Sequence, residues 1–222
     1  MKPHIIWDWN GTLLNDFSVS LNATNEALSE INIPKITSLC YKENYSVPVD
    51  DFYHKIIGRT TTRGEWKRIG QKFNEIYKPE VIKAPLADKA MHILKNVKSQ
   101  SICSLMENDL LLSMVESFGI RDYFSLIQGR SHPLLKEGKE KHLEAHINWL
   151  VSRLNIDKRI IILIGDTVDD AYSAKTAGIK SILYSGGTYS YDRLKATGQP
   201  VAKTLDEAIV LAESTILRSS YV

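Results

Sequence analysis

A short run, His4-Ile5-Ile6-Trp7, stops at Asp8-Trp9-Asn10-Gly11-Thr12-Leu13, and no other stretch restricts the fold so tightly. A brief, largely apolar segment ended by a turn residue suits a strand of a parallel sheet covered on both faces. Ligands bind such sheets at the carboxyl ends of the strands, so Asp8 is delivered to where chemistry takes place. Gly11 permits a sharp backbone path there, and Thr12 supplies a hydroxyl able to fix the turn or touch a phosphate. Asp8 has the makings of a phosphoryl-transfer nucleophile; a plain strand-ending turn aspartate is an equal reading until the rest of the chain is weighed.

Beyond this turn, helical patterns run from about Phe17 to Lys83, broken at Pro34, Pro48 and Gly58. Phe17, Leu21, Leu28 and Ile31 recur at helical spacing, and segments 51–57 and 66–77 read as further amphipathic helices. After Pro85 the pattern becomes helix followed by short apolar strand: 87–97 then 101–105, 110–118 then 124–128, 141–154 then 159–164, and 171–177 then 179–184. Such alternation predicts an α/β fold, a parallel sheet with right-handed crossovers and flanking helices, carrying a small all-helical insertion.

The chain has 222 residues, 43% of them hydrophobic, enough for one sizeable core with an insertion. Its 28 Lys and Arg against 26 Asp and Glu leave a net charge of +2, which argues against nucleic acid, a membrane surface or a highly acidic partner. No apolar run approaches the roughly 20 residues of a membrane span, and Met1-Lys2-Pro3 is too short for a targeting segment. Cys40 and Cys103 have neither zinc-like nor redox spacing, so a cytoplasmic chain with reduced thiols is expected.

A second informative site is Ile161-Ile162-Leu163-Ile164-Gly165-Asp166-Thr167-Val168-Asp169-Asp170, where an apolar strand breaks into three carboxylates. Crowded at the mouth of a low-dielectric sheet, carboxylates raise one another's pKa unless a cation offsets them, and Mg²⁺ is the natural one. The plain alternative is helix capping by Asp166 or Thr167, with Asp169 and Asp170 favouring the positive end of the helix. Ser104, near the end of a strand, and Lys141, which opens a predicted helix, offer the hydroxyl and ammonium that phosphoryl transfer uses. His142 and His146 lie four apart but lack the zincin order, and read as a helix face. Arg59, Arg63, Lys67 and Arg68 form a basic stripe, either solvated or steering a phosphate. Trp66, Phe73 and Tyr77 sit at helical spacing, as helical-core or pocket-lining side chains.

Taken in chain order, Asp8-Trp-Asn-Gly-Thr, Ser104, Lys141 and Gly165-Asp166-Thr-Val-Asp169-Asp170 resemble the haloacid dehalogenase superfamily of phosphatases. The segment from Leu110 to Gln128, with Gly119-Ile120-Arg121-Asp122-Tyr123-Phe124, is similar to its phosphoglycolate-phosphatase-like members. The resemblance implies a Rossmann-like core over 1–16 and 84–222, and a helical cap over 17–83 hinged near Asn15-Asp16 and Ala84-Pro85. It further implies that Asp8 accepts the phosphoryl group, that Ser104 and Lys141 hold its oxygens, and that Gly11 and Thr12 lie beside the substrate. Asp8, the main-chain carbonyl of Asn10 and Asp166 would ligate Mg²⁺, with Asp170 orienting the outer shell. Lys136 and Lys139 are the alternatives to Lys141, which is preferred because it opens the helix.

Asn10 departs from the pattern, since phosphatases of this kind usually carry a second aspartate there to protonate the leaving oxygen and then deprotonate water. Its amide does not titrate. A positioned acid or base contributes about 10²–10⁴-fold, roughly 3–5 kcal/mol of barrier. The expectation is a Mg²⁺-dependent phosphomonoester hydrolase or phosphotransferase acting on a small phosphorylated metabolite, as a monomer or homodimer, slow or selective for good leaving groups. The alternative is a silent phospho-ligand or protein-binding module. Asn10-Gly11 is also a deamidation-prone pair that could generate aspartate after synthesis.

Overall fold

The computed structural model describes residues 2–131 and 138–219. Six strands form one sheet: β1 His4–Trp7, β2 Gln100–Glu107, β3 Ile127–Arg130, β4 Ile161–Gly165, β5 Lys180–Tyr184 and β6 Val201–Ala202. Every pairing is parallel, and the order is β3-β2-β1-β4-β5-β6. The chain winds outward through β1, β2 and β3, then returns to β4 on the other side of β1 and winds the opposite way. That reversal puts the crevice where such sheets bind ligands at the carboxyl ends of β1 and β4. The strands read as apolar runs because they are covered on both faces; β1 and β4 are buried at every residue.

Ten α-helices are described: α1 Phe17–Ser29, α2 Ser38–Asn44, α3 Val49–Ile57, α4 Arg63–Val81, α5 Ala90–Asn96, α6 Asn108–Ser117, α7 Lys139–Leu154, α8 Val168–Thr176, α9 Tyr191–Lys195 and α10 Leu205–Ser219. Leu143, Ile147 and Leu150 of α7, with Ala174 of α8, pack on Ile6, Cys103, Ile161 and Leu163 of the sheet. Removing this apolar surface from water, at about 25 cal/mol per Å², locks α7 and α8 onto the strands whose ends they extend. None of the described helices is long and apolar enough to cross a membrane.

The chain divides into two compact units, Met1–Leu14 with Leu86–Val222 and Asn15–Pro85. The second holds α1 to α4 around Leu28, Ile31, Tyr41, Phe52, Tyr53 and Ile69. Phe73 packs against that core and stacks on Tyr77 at 5.1 Å, and Trp66 meets Tyr53 edge-on at 5.7 Å, so these aromatics serve the helical core. Arg59 is held by Glu65, the residue that also closes the capping box of α4; Arg63, Lys67 and Arg68 are exposed.

Several boundaries differ from the sequence expectation. Helix α7 opens at Lys139, two residues before Lys141, because Gly138 takes the extended N-cap conformation and a polar Lys-Glu-Lys turn follows. Helix α8 opens at Val168, where the capping reading starts it and three residues before the periodic segment 171–177, since its first turn carries the carboxylates that mask its periodicity. β3 starts three residues later than expected, after a 3-10 turn at Arg121–Tyr123. β6 is only two residues long, too short to leave a periodic signal.

Candidate active site

Asp8 follows β1 directly, and its N–H donates to the Ile164 carbonyl of β4 at 2.8 Å, which fixes it at the switch point of the sheet. Asp166 follows β4, and Asp170 lies in the first turn of α8. One oxygen from each of these three buried carboxylates lies within 4.8 Å of the others. Asp8 is 8% exposed, Asp170 2% and Asp166 0%.

Among the described residues, one ammonium reaches into this group. Lys139 donates to Asp8 and to Asp170 Oδ1, the latter at 2.6 Å. The expectation for Lys141 is therefore corrected: Lys141 is exposed on the same helix, and Lys139 is the buried cation, 2% exposed. The ground for preferring Lys141 falls as well, because the helix opens at Lys139, two residues earlier. Lys136 lies outside the described residues.

Each carboxylate is oriented by further bonds. Asp166 accepts from the Thr188 N–H at 2.6 Å and from the Thr12 hydroxyl at 3.3 Å. Asp170 Oδ2 accepts from the Thr167 N–H and hydroxyl at 3.1 and 2.7 Å, completing a capping box with Thr167 as N-cap. The capping reading and the cluster reading of this segment thus describe the same side chain, with Oδ2 serving the helix and Oδ1 facing Lys139. Gly11 has φ +75°, and a Cβ there would lie 2.8 Å from Asp166 Cγ. Its N–H donates to the Leu14 carbonyl at 2.9 Å, closing the turn that presents Asn10. Ser104 is buried in β2, two residues beyond Ile102, the register partner of Trp7, so it points its segment at the same rim as Asp8. Its hydroxyl oxygen accepts from the Met106 N–H at 3.0 Å.

The electrostatics follow from this crowding. Burial pushes Asp8 up to about 7, against the pull of Lys139 and with the Asp170 charge adding to the rise. Burial, then the charges of Asp8 and Asp170, push Asp166 well above the usual carboxylate range. Burial alone would lower Lys139, but Asp170 and Asp8 hold it well above its ordinary value. Among the described residues, three buried carboxylates share the single ammonium of Lys139, which Asp8 and Asp170 contact, and the site is short of positive charge. Its all-oxygen donor set fits a hard divalent cation such as Mg²⁺, with Asp8, Asp166 and Asp170 as the candidate ligating side chains.

Residues 5–184 match the haloacid dehalogenase-like hydrolase family. The chain belongs to that family. A probable phosphatase, IndB, of Dickeya dadantii is 25% identical over 99% of this chain and 97% of its own length. A phosphoglycolate phosphatase of Haemophilus influenzae is 26% identical over 84% of this chain and 85% of its own. The crystal structure of a predicted phosphatase from Clostridium acetobutylicum superposes with a TM-score of 0.78 at 18% identity, covering 95% and 97% of the two chains, which shows the shared fold.

Within this haloacid dehalogenase-like site, sequence reasoning passed over two residues. Thr188 and Gly187 belong to the loop Ser185-Gly186-Gly187-Thr188 directly after β5; a Cβ on Gly187 would lie 2.7 Å from Asp166 Cβ. A glycine pair following an apolar strand was the available signal. Asp169, read from the sequence as a helix-end carboxylate, accepts from the Lys139 N–H, and burial with the Asp170 charge raises it to about 6. His142 and His146 hold no place among the carboxylates; both join a separate polar network.

Proposed function

We propose that the chain is a Mg²⁺-dependent phosphatase that works through a phospho-aspartate on Asp8 and takes a small phosphorylated metabolite. The observation that carries this reading is the Lys139 ammonium shared by Asp8 and Asp170 beside Asp166, at the switch point of the sheet. Phosphatases among the curated relatives, one of them acting on phosphoglycolate, support the reaction class.

An Asp8 oxygen attacks phosphorus, the bond from phosphorus to the ester oxygen breaks, and the leaving oxygen takes a proton from solvent water. Water then attacks the phospho-aspartate, which releases inorganic phosphate and restores the carboxylate. Lys139 and Ser104 hold the peripheral oxygens, where the charge of the transferring group resides. Asp8, the Asn10 carbonyl and Asp166, with Asp170 behind them, would hold Mg²⁺, which would supply the charge that lets a carboxylate approach a phosphate dianion. Asn10 supplies no titrating group, so esters whose leaving oxygen needs little protonation, aryl and acyl phosphates, are the favoured substrates.

The test is turnover of p-nitrophenyl phosphate by the purified chain with Mg²⁺ and with EDTA. Release of phosphate that needs Mg²⁺ and disappears in Asp8→Asn is expected. Wild-type phosphate release equal to that of Asp8→Asn overturns the reading and leaves the silent phospho-ligand module.

A further inference from the structure

A chain of buried and half-buried polar side chains runs through the core unit and ends beside Ser104. His4 Nδ1 lies 2.8 Å from Ser99 Oγ, and His4 Nε2 lies 2.9 Å from Ser101 Oγ. Ser101 Oγ is also 2.8 Å from His146 Nε2, and His146 Nδ1 is 2.8 Å from Gln128 Oε1. Gln128 Nε2 is 3.3 Å from His142 Nδ1, His142 Nε2 lies 3.4 Å from the carbonyl of Gln128, and the His142 ring also bonds the main chain of Ser104. His4, Ser101 and His146 are fully buried. Burial lowers His4 to about 4 and His146 to about 3, so each carries one ring proton near neutral pH.

One proton per ring fixes the direction of every bond. Gln128 Oε1 only accepts, so His146 carries its proton on Nδ1, and its Nε2 accepts the Ser101 hydroxyl proton. Ser101, having given its proton, accepts from His4 Nε2–H, and His4 Nδ1 accepts from Ser99. At the other end Gln128 Nε2–H donates to His142 Nδ1, which leaves the His142 proton on Nε2, facing the Gln128 carbonyl. Turning the Gln128 amide over would aim the bare Nε2 lone pair of neutral His142 at that carbonyl. The carbonyl therefore sets the polarity of the whole chain.

We infer that His142 is a positioning residue, its ring tying the ends of β2 and β3 at Ser104 and Gln128 to the first turn of α7, where Lys139 stands. The buried His4-Ser101-His146-Gln128 chain holds the ring in the tautomer that makes this tie. The inference rests on the proposed reading of Ser104 and Lys139 as the groups that hold the phosphoryl oxygens.

Two measurements test it. Long-range ¹⁵N–¹H correlation spectra of the wild-type protein near neutral pH should show His146 as the Nδ1–H tautomer, with His4 and His142 as Nε2–H. An Nε2–H tautomer at His146 overturns the chain whatever the enzyme does. On an aryl phosphate, His142→Leu should lower kcat about 10-fold, with KM changed less than about threefold, because misplacement of supporting groups slows the reacting geometry. His142→Gln, whose amide can donate to the same carbonyl, should recover to within about threefold of wild type. Wild-type kcat in His142→Leu, or a His142→Gln variant as slow as His142→Leu, overturns the positioning role. If the wild-type protein turns over no phosphomonoester, the proposed phosphatase reading fails separately. The positioning role is then read from inorganic phosphate binding in Mg²⁺, which His142→Leu should weaken about 10-fold and which, left unchanged, overturns it.

Discussion

The Lys139 ammonium donates to Asp170 Oδ1 at 2.6 Å, and its side chain is only 3% exposed. At about 100° per residue, the side chain two positions on points some 200° away, so Lys139 and Lys141 cannot both face the carboxylates. Lys139→Ala should therefore lower kcat by about 10²–10³-fold, as the loss of one preorganised donor does. Lys141→Ala should stay within about twofold of wild type. Initial rates on p-nitrophenyl phosphate decide between them, and equal losses in the two variants would refute the assignment of the cation.

The raised carboxylates make stability depend on pH and on the metal. Asp8 is pushed up to about 7 and Asp169 to about 6, with Asp166 shifted the same way. A carboxyl whose folded pKa exceeds its unfolded value adds stability that is complete below pH 3.8 and is lost as pH rises through the folded pKa. His4 and His146 act oppositely, from 6.5 down to about 4 and about 3; their contribution is complete above 6.5 and is lost as pH falls toward 4. The two effects oppose one another at mildly acid pH, and above about 7 only the carboxylate cost remains. Without divalent ions, Tm should fall between about pH 6.5 and pH 8, and Mg²⁺ should raise it more at the higher pH, where no proton competes for the site. Thermal melts with Mg²⁺ and with EDTA test this; an Mg²⁺ shift independent of pH would contradict it.

What the sequence made legible follows from how strongly each element repeats its signal. The buried strands β1 and β4 announce themselves as apolar runs, and each ends in an aspartate, so Asp8 and Asp166 could be named without coordinates. Lys139 could not be separated from Lys141, because a helix start is set by one residue's backbone, here Gly138, and its polar first turn carries no hydrophobic period. Thr188, and the tie of Asp169 to Lys139, were hidden for a different reason. Their roles depend on main-chain N–H groups, of Lys139 to the Asp169 carboxylate and of Thr188 to Asp166, and such bonds leave no trace in residue type. The His4-Ser101-His146 chain joins positions 97 and 45 apart in sequence, beyond any local pattern.

Gly11 should tolerate no side chain. Its φ of +75° is the left-handed region, and a Cβ would lie 2.8 Å from Asp166 Cγ and 2.9 Å from the Thr188 hydroxyl. Adopting that backbone costs a residue with a Cβ about 1–3 kcal/mol, and the steric clash displaces Asp166 as well. Gly11→Ala is expected to lower the denaturation midpoint and weaken Mg²⁺ binding together, measurable by urea unfolding and by Mg²⁺ titration. Gly198→Ala is the control: it also has a positive φ, +76°, but no atom within 4 Å, so it should cost stability without touching Mg²⁺ affinity. Equal Mg²⁺ affinity in both variants would remove the steric part of the argument.

Asn10 offers the sharpest chemical prediction. Asparagine at this position neither gives a proton to the leaving oxygen nor takes one from water, and the Mg²⁺ ligand proposed here is its carbonyl, which any residue supplies. Asn10→Asp should leave Mg²⁺ affinity nearly unchanged and raise turnover of alkyl phosphomonoesters by about 10²-fold, within the range of general acid–base catalysis. Aryl phosphates, whose leaving groups need less protonation, should gain far less, so the ratio of the two gains is the readout. Spontaneous conversion of Asn10 would blur this comparison, since deamidation requires the Gly11 nitrogen to attack the asparagine side chain. That nitrogen is held by its bond to the Leu14 carbonyl at 2.9 Å, and peptide mass spectrometry of the active protein should find Asn10 intact. Equal gains for alkyl and aryl esters would mean that another group already performs the proton transfers, and Asn10 would then cease to explain any selectivity.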